Sequence, residues 1–334
     1  MSIMNELNQE ELAQLRDGKI FIAGHRGLVG SALVRRLQEL GCKNLILKTR
    51  DEVDLTNQQQ VHELMYTAKA DYVFMAAALV GGIYANNTYP AQFIYSNIMV
   101  TCNVIEAAHA AGVRRLLCLG SSCIYPKLAP QPMTEDSLLT GALEETNEPY
   151  AIAKIAGIKM CESYNREYGT DFRSVMPTNL YGQNDNFDLK TSHVLPALLR
   201  KFHEAKIANA PTVELWGTGT PRREFLHVDD LAEACVFIMS LPPDVYSEHT
   251  KPRLSHLNIG SGVDVSIAEL AEIIRGVVNY EGEVVYNSEY PDGMRRKLLD
   301  VSVIEALGWK AQIGLKDGIT DTYNWYLNND SKNG

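Results

Sequence analysis

Tyr150 and Lys154 stand four residues apart in the stretch Tyr150-Ala151-Ile152-Ala153-Lys154. That spacing puts both side chains on one face of a helix. A phenol with an unperturbed pKa of about 10 is a poor acid–base group at neutral pH. A neighbouring ammonium favours the phenolate and brings the value toward the working range. Upstream, the apolar run Leu116-Leu117-Cys118-Leu119 reads as a strand that leads into Gly120-Ser121-Ser122-Cys123-Ile124-Tyr125-Pro126. Ser121 then lies at the carboxyl end of that strand, where open α/β sheets bind ligands. Ser121, Tyr150 and Lys154 together can polarise a carbonyl and hand it a proton. In isolation a capping serine and a surface Tyr/Lys pair would be the plainer account, so the surrounding elements decide the matter.

The first of these is a short apolar strand, Lys19 to Ala23, running into Gly24-His25-Arg26-Gly27-Leu28-Val29-Gly30 and a helical pattern through Leu33, Val34 and Leu37. Strand, glycine-rich turn and helix form the context of a dinucleotide fingerprint, here spaced G-x-x-G-x-x-G. Glycines let the backbone approach a pyrophosphate, and the helix N-terminus favours its charge. The next strand, Asn44 to Leu47, ends in Lys48-Thr49-Arg50-Asp51. NAD sites place an acid there for the ribose 2′-hydroxyl. Lys48 and Arg50, with Arg26 from the turn, suit a 2′-phosphate instead, so NADP(H) is the expected cofactor. Asp54 and Leu55 are candidates for the adenine pocket. Ala76 and Ala77 end a third strand from Asp71, and their small side chains let the cofactor pass close by.

The rest of the chain supplies the scaffold. Residues 81–90 read as a turn-rich loop, followed by a helix through Asn97, Val100, Val104 and Ala108. A helix from Tyr150 to Tyr168 precedes a fifth strand near Phe172 to Met176. Strands alternating with helices imply a parallel, doubly wound Rossmann-type sheet, with a smaller C-terminal α/β domain for substrate. The expected boundaries are an extension at 1–18, a cofactor domain at 19–182 completed by segments near 225–260, and a mostly substrate-binding part at 183–330. In the extension, Leu7, Leu12 and Leu15 form one side of a helix capped from Asn8. Asp229 or Asp230 is placed to cap a helix starting near Leu231. Arg222, Arg223, Arg295, Arg296 and Lys297 are candidates for gripping a diphosphate.

Composition narrows the function. The 334 residues are 46% hydrophobic and 22% charged, with a formal net charge of −10, which disfavours nucleic acid as a partner. The six cysteines form no C-x-x-C pair, so neither a metal site nor a disulfide framework is expected. No signal peptide or apolar run of spanning length is present, and a cytoplasmic address is expected.

Gly24-x-x-Gly27-x-x-Gly30, Ser121, Tyr150 and Lys154 resemble the extended short-chain dehydrogenase/reductase superfamily. The blocks Gly81-Gly82-Ile83-x-Ala85-Asn86, Ser121 to Lys127, Asn147 to Lys154, Pro177 to Gly182, Ser192-His193-Val194 and Arg223 to Asp230 resemble, within it, the GDP-L-fucose synthase family. The resemblance covers about Lys19 to Tyr326. It implies epimerisation at C3 and C5 of GDP-4-keto-6-deoxy-D-mannose, followed by NADPH reduction of the 4-keto group to give GDP-L-fucose. It implies that Tyr150 donates the proton in reduction, Lys154 orients the ribose, Ser121 holds the carbonyl oxygen, and Cys123 and His193 form the epimerisation acid–base pair. Pro177, Asn179, Leu180 and His193 are implied cofactor contacts, and Asn179, Lys201, Trp216, Arg223 and Lys297 implied substrate contacts. Lys201 departs from the pattern, since related sequences tend to carry arginine there. Pairing of the helices Asn97–Ala111 and Tyr150–Tyr168 in a homodimer is a further implication. Two competing functions remain. One is another NAD(P)-dependent nucleotide-sugar epimerase or dehydratase, although Ser122-Cys123 occupies the place of a dehydratase's acid pair. The other is a non-enzymatic NADP-binding regulator.

Overall fold

A computed structural model describes residues 3–189, 191–290 and 292–329. The strands β1 (Ile20–Ala23), β2 (Leu45–Ile46), β3 (Tyr72–Met75), β4 (Arg115–Leu119), β5 (Asp171–Pro177) and, after three others, β9 (His256–Ile259) form a parallel sheet in the order β2-β1-β3-β4-β5-β9. Strands β1, β3, β4 and β9 are buried at every position, as expected where helices cover both faces. The helices α1 (Ile3–Asp17), α2 (Leu28–Glu39), α3 (Gln58–Ala68), α4 (Ile83–Thr88), α5 (Pro90–Ala110) and α6 (Glu148–Tyr168) follow in chain order. The short α4 lies in the segment read as loop. The helix expected from Asn97 begins at Pro90, whose missing N–H suits a first turn.

The smaller sheets lie beyond β5. Strands β6 (Asn179–Tyr181), β8 (Arg222–His227), β10 (Asp264–Ser266) and β12 (Arg296–Lys297) join in one, and β7 (Thr212–Trp216) pairs with β11 (Glu283–Asn287) in another. Around them pack α7 (Val194–Ile207), α8 (Val228–Met239), α9 (Pro243–Glu248), α10 (Ile267–Val278), α11 (Ser302–Leu307) and α12 (Leu315–Asn329). One apolar cluster joins α2, α8 and α11 to one face of the parallel sheet, and a second joins α3 and α5 to the other. The cap of α8 differs from expectation. The His227 imidazole accepts from Asp229 N at 3.3 Å, while Asp230 turns away to accept the amides of Gln312 and Ile313. No helix among the described residues is long and apolar enough to cross a membrane.

The N-terminal segment is docked into this core. Its helix begins before Asn8, so Asn8 is not its cap, and Leu7 lies among the residues whose side chains are not described. Leu15 is fully buried with Leu12 beside it. Arg115 and Arg173 are 1% and 0% exposed, and both donate to the last carbonyls of α8, Met239 O and Ile238 O. Asp171 pairs with both guanidinium groups, at 2.5 and 2.7 Å. Two buried cations against one anion leave an excess positive charge, and Glu11 of α1 offsets it, 3.4 Å from Arg115 and 3.0 Å from Arg114. A buried guanidinium that loses a partner destabilises the fold. Glu11→Gln therefore lowers unfolding free energy by about 1–3 kcal/mol in urea titration. An unchanged midpoint would show that the leucines alone hold α1.

Candidate active site

The glycine turn is shaped by contacts that exclude side chains. At Gly24, with φ of +81°, a Cβ would sit 2.8 Å from the backbone of Ala77, and at Gly30 it would sit 2.0 Å from Gly24 O. The turn therefore packs α2 against the ends of β1 and β3 as only glycine permits. Gly27 precedes α2 without a side-chain cap, and the helix has no acid in its first turn. Free first-turn amides and the positive helix end suit a pyrophosphate, so these residues fit a dinucleotide cofactor.

The ribose end is modified from expectation. Lys48 is paired with Glu52 at 3.0 Å, and the same carboxylate accepts Thr49 N at 2.8 Å. The Thr49 amide and Lys48 hold the Glu52 carboxyl at about 2. Lys48 is thus already partnered within its own turn, which leaves the exposed Arg26 and Arg50 as the cations for a 2′-phosphate. Asp54 accepts Thr56 N and Oγ1 at 2.9 and 2.8 Å, bonds that lower its carboxyl below the usual range. These bonds shape the turn, and Asn103 reinforces it by donating to Leu55 O at 3.0 Å.

The chemical centre forms where β4 ends. Ser121 is extended and a single 3₁₀ turn carries Ser122, Cys123 and Ile124. Tyr125 anchors the segment from beneath, 2.5 Å from Asn258 Oδ1 and 3.0 Å from His256 Nε2. Lys154 donates to Leu119 O at 2.8 Å, and its ammonium lies 5.6 Å from the centre of the Tyr150 ring. Burial pushes Lys154 down, while the nearby thiols Cys118 and Cys123 oppose that shift. Burial also pushes the Tyr150 phenol up, and Cys123 adds to the rise. The expected lowering of Tyr150 by Lys154 is therefore absent. Desolvation of the phenolate outweighs an ammonium directed at a main-chain carbonyl, and Tyr150 is held protonated.

His193 arrives from the other side of the fold. It is the residue before α7, in extended conformation, and its side chain makes no capping bond. The loop before it is knotted, with Asp188 accepting Thr191 N and Oγ1 at 2.9 Å and Asn186 donating to Thr191 Oγ1 at 2.9 Å. Gly82 N donates to Thr191 O at 2.9 Å, and a Cβ on Gly82 would lie 2.9 Å from Ser192 O. The Gly81-Gly82 block thus seats the His193 loop. Burial and the charge of Lys297 push the His193 imidazole down. Lys297 is itself pushed down by burial, opposed by Cys123, with Arg223 adding to the fall. Lys297 is the electrostatic neighbour shared by Cys123 and His193.

The cations proposed for a diphosphate separate into three groups. Arg222 and Arg296 both pair with Asp264, the former at 2.9 Å, and Arg222 also reaches Glu269 at 3.2 Å. Arg295 is exposed. Arg223 and Lys297 remain, directly opposite one another in the β8–β12 pairing. Arg223 is braced by donating to Arg222 O and Met294 O at 2.8 and 2.6 Å, and Asn179 donates to Glu224 O at 2.8 Å. Lys201 lies 5.2 Å over the Trp216 ring, and Trp216 stacks on Tyr290 with centroids 4.5 Å apart. Tyr290 was not legible as a site residue, because no spacing in the sequence links it to Trp216.

The chain belongs to the NAD dependent epimerase/dehydratase family, which matches residues 20–260. It is 59% identical over 314 residues to GDP-L-fucose synthase of Escherichia coli (strain K12), covering 94% of this chain and 98% of that one. It is 56% identical over 328 residues to GDP-L-fucose synthase 1 of Arabidopsis thaliana, covering 98% and 99%. Among solved structures it is similar to a GDP-D-glycero-L-gluco-heptose synthase from Campylobacter jejuni in the presence of NADPH, with a TM-score of 0.88, 42% identity and coverage of 93% and 99%.

With Lys48 already paired, Arg50 carries much of any preference for the 2′-phosphate. Arg50→Asp weakens NADPH binding by about tenfold or more and NADH binding far less, as read by fluorescence titration of each cofactor. Equal losses for the two cofactors would remove Arg50 from the phosphate site.

Proposed function

We propose that this chain converts GDP-4-keto-6-deoxy-D-mannose to GDP-L-fucose with NADPH, by epimerisation at C3 and C5 and then reduction at C4. The observation that carries the reading is that the 3₁₀ turn after β4 carries Cys123 two residues beyond Ser121, while Lys154, one helical turn after Tyr150, donates to Leu119 O at 2.8 Å at the end of the same strand. A thiol beside the phenol that serves a ketone belongs to a site that also moves protons at the flanking carbons.

Hydrogens on those carbons are acidic because the resulting anion delocalises onto the ketone oxygen. Ser121 and the protonated Tyr150 stabilise that enolate as donors. Cys123 removes the proton from C3 or C5, and His193 returns one on the other face. Proton exchange with solvent resets the pair for the second carbon. NADPH, when bound, would supply the hydride for C4. Tyr150 gives its proton to O4, and Lys154, held by Leu119 O, stabilises the phenolate that is left. Gly24, Gly27 and Gly30 would hold the cofactor at its pyrophosphate, and Arg26 and Arg50 would hold it at its 2′-phosphate. Arg223 and Lys297 take the GDP diphosphate, with Lys201 and Trp216 at the nucleoside end. A division of the chain near residue 183 into a cofactor part and a substrate part, with β9 returning to the first, completes the reading. A cytoplasmic address is part of it.

Cys123→Ser abolishes solvent deuterium exchange at C3 and C5 while leaving slow reduction of the unepimerised ketone. Tyr150→Phe does the reverse, suppressing nicotinamide oxidation and leaving exchange measurable by NMR. Wild-type exchange in Cys123→Ser would return the thiol to a packing role and assign proton removal to a different base.

The chain is also proposed to act as a homodimer through α5 and α6. Gly157 supports close packing of these helices, since a Cβ there would lie 3.0 Å from Thr101 Cγ2. Tyr95, Ile152 and Tyr168 are left exposed on the pair. Light scattering at micromolar concentration gives twice the chain mass, and a monomer would refute the pairing.

A further inference from the structure

Glu224 follows Arg223 on β8 and is 0% exposed. Its carboxylate binds two separate stretches of main chain. Oε1 accepts Gly262 N at 2.8 Å, from the turn after β9, and Oε2 accepts Leu299 N at 3.0 Å, two residues beyond Lys297. Its carbonyl accepts Thr178 Oγ1 and Asn179 Nδ2 at 3.2 and 2.8 Å. The fit is close, because a Cβ on Gly260 would lie 2.2 Å from Oε1. No ion pair involving Glu224 is found among the described residues, so the cost of burying the group is offset by amide donors.

An apolar side chain would fill this space without that cost. What a carboxylate adds is position, since its two oxygens tie β8 to the segment leaving β12 and to the segment leaving β9. Lys297 pairs with Arg223 in the strand register, but β12 is only two residues long. So short a strand holds its register weakly unless something beyond it is fixed. The segment leaving β12 is anchored on one side by Gln131 and Met133, through Leu298 N to Gln131 Oε1 at 2.8 Å and Met133 N to Leu298 O at 2.8 Å, and the Leu299 amide bond is what ties it to β8.

We infer that Glu224 is a positioning residue that sets the separation of Arg223 and Lys297, and so determines how well the pair spans a nucleoside diphosphate. The inference rests on the proposed reading of those two cations as diphosphate ligands. The Glu224 carboxylate touches neither the cofactor turn nor the Tyr150–Lys154 pair, and the bond that reaches Asn179 is made by the main-chain carbonyl, which a side-chain substitution retains.

Glu224→Gln presents an NH₂ group to one of the two amides and leaves that donor unpaired. In the intact protein it raises the dissociation constant for GDP and the KM for the GDP-sugar by about tenfold, with kcat and NADPH affinity within about twofold of wild type. Glu224→Asp, charged but one methylene shorter, shows the same split, and amide hydrogen exchange at Leu299 accelerates in both variants. Wild-type GDP affinity in Glu224→Gln would overturn the inference. So would equal weakening of GDP and NADPH together with a lowered melting temperature, or failure of both variants to fold, since each marks a general structural role. Parallel GDP titrations of Arg223→Ala and Lys297→Ala separate the two readings. If neither weakens GDP, the diphosphate assignment itself fails. If both do while Glu224→Gln binds normally, only the positioning role fails.

Discussion

The bond from Lys154 Nζ to Leu119 O, 2.8 Å long and buried, sets the relation on which the site depends. It ties a residue in the second turn of α6 to the last residue of β4. Tyr150 lies one helical turn before Lys154, and Ser121 and Cys123 follow Leu119 directly, so one contact relates the acid, the carbonyl donor and the thiol. A buried ammonium with a fixed acceptor has little freedom to move. The same burial that restrains it also lowers its pKa, a shift that neighbouring anions oppose.

Around this bond the structure distributes charge selectively. A chain with a formal net charge of −10 must collect cations locally to bind two anionic ligands. Several of its basic residues are meanwhile paired elsewhere. Lys48 is held by Glu52, Arg222 and Arg296 by Asp264, and Arg115 and Arg173 by Asp171 with help from Glu11. Arg223 and Lys297, proposed for a diphosphate, and Arg26 and Arg50, proposed for a 2′-phosphate, are outside these pairs. Both Arg223 and Lys297 are shifted down by burial, so an incoming anion relieves an existing electrostatic penalty.

Much of the scaffold was legible because the residues that define it are close in sequence. The glycine turn after β1, the basic end of β2 and the Tyr150–Lys154 pair each announce themselves within a few residues, where helix and strand periods apply directly. Other readings failed for one common reason. The helix after His227 takes its cap from an imidazole, Lys48 is captured by a carboxylate within its own turn, and Tyr150 is raised because it is desolvated. In each case several groups of the right kind were available, and their relative placement decided which interaction prevailed.

The sequence by itself determined the parallel α/β class and the glycine turn, and it singled out the groups proposed to react, because local period, glycine spacing and side-chain chemistry are properties of short segments. Only the tertiary structure decided which of five neighbouring cations face the cleft, that His193 is seated by Gly82, that the N-terminal helix neutralises a buried guanidinium, and that Glu224 joins three segments. Those are contacts between residues tens to hundreds of positions apart. Their energies depend on distance and burial, which sequence order does not specify.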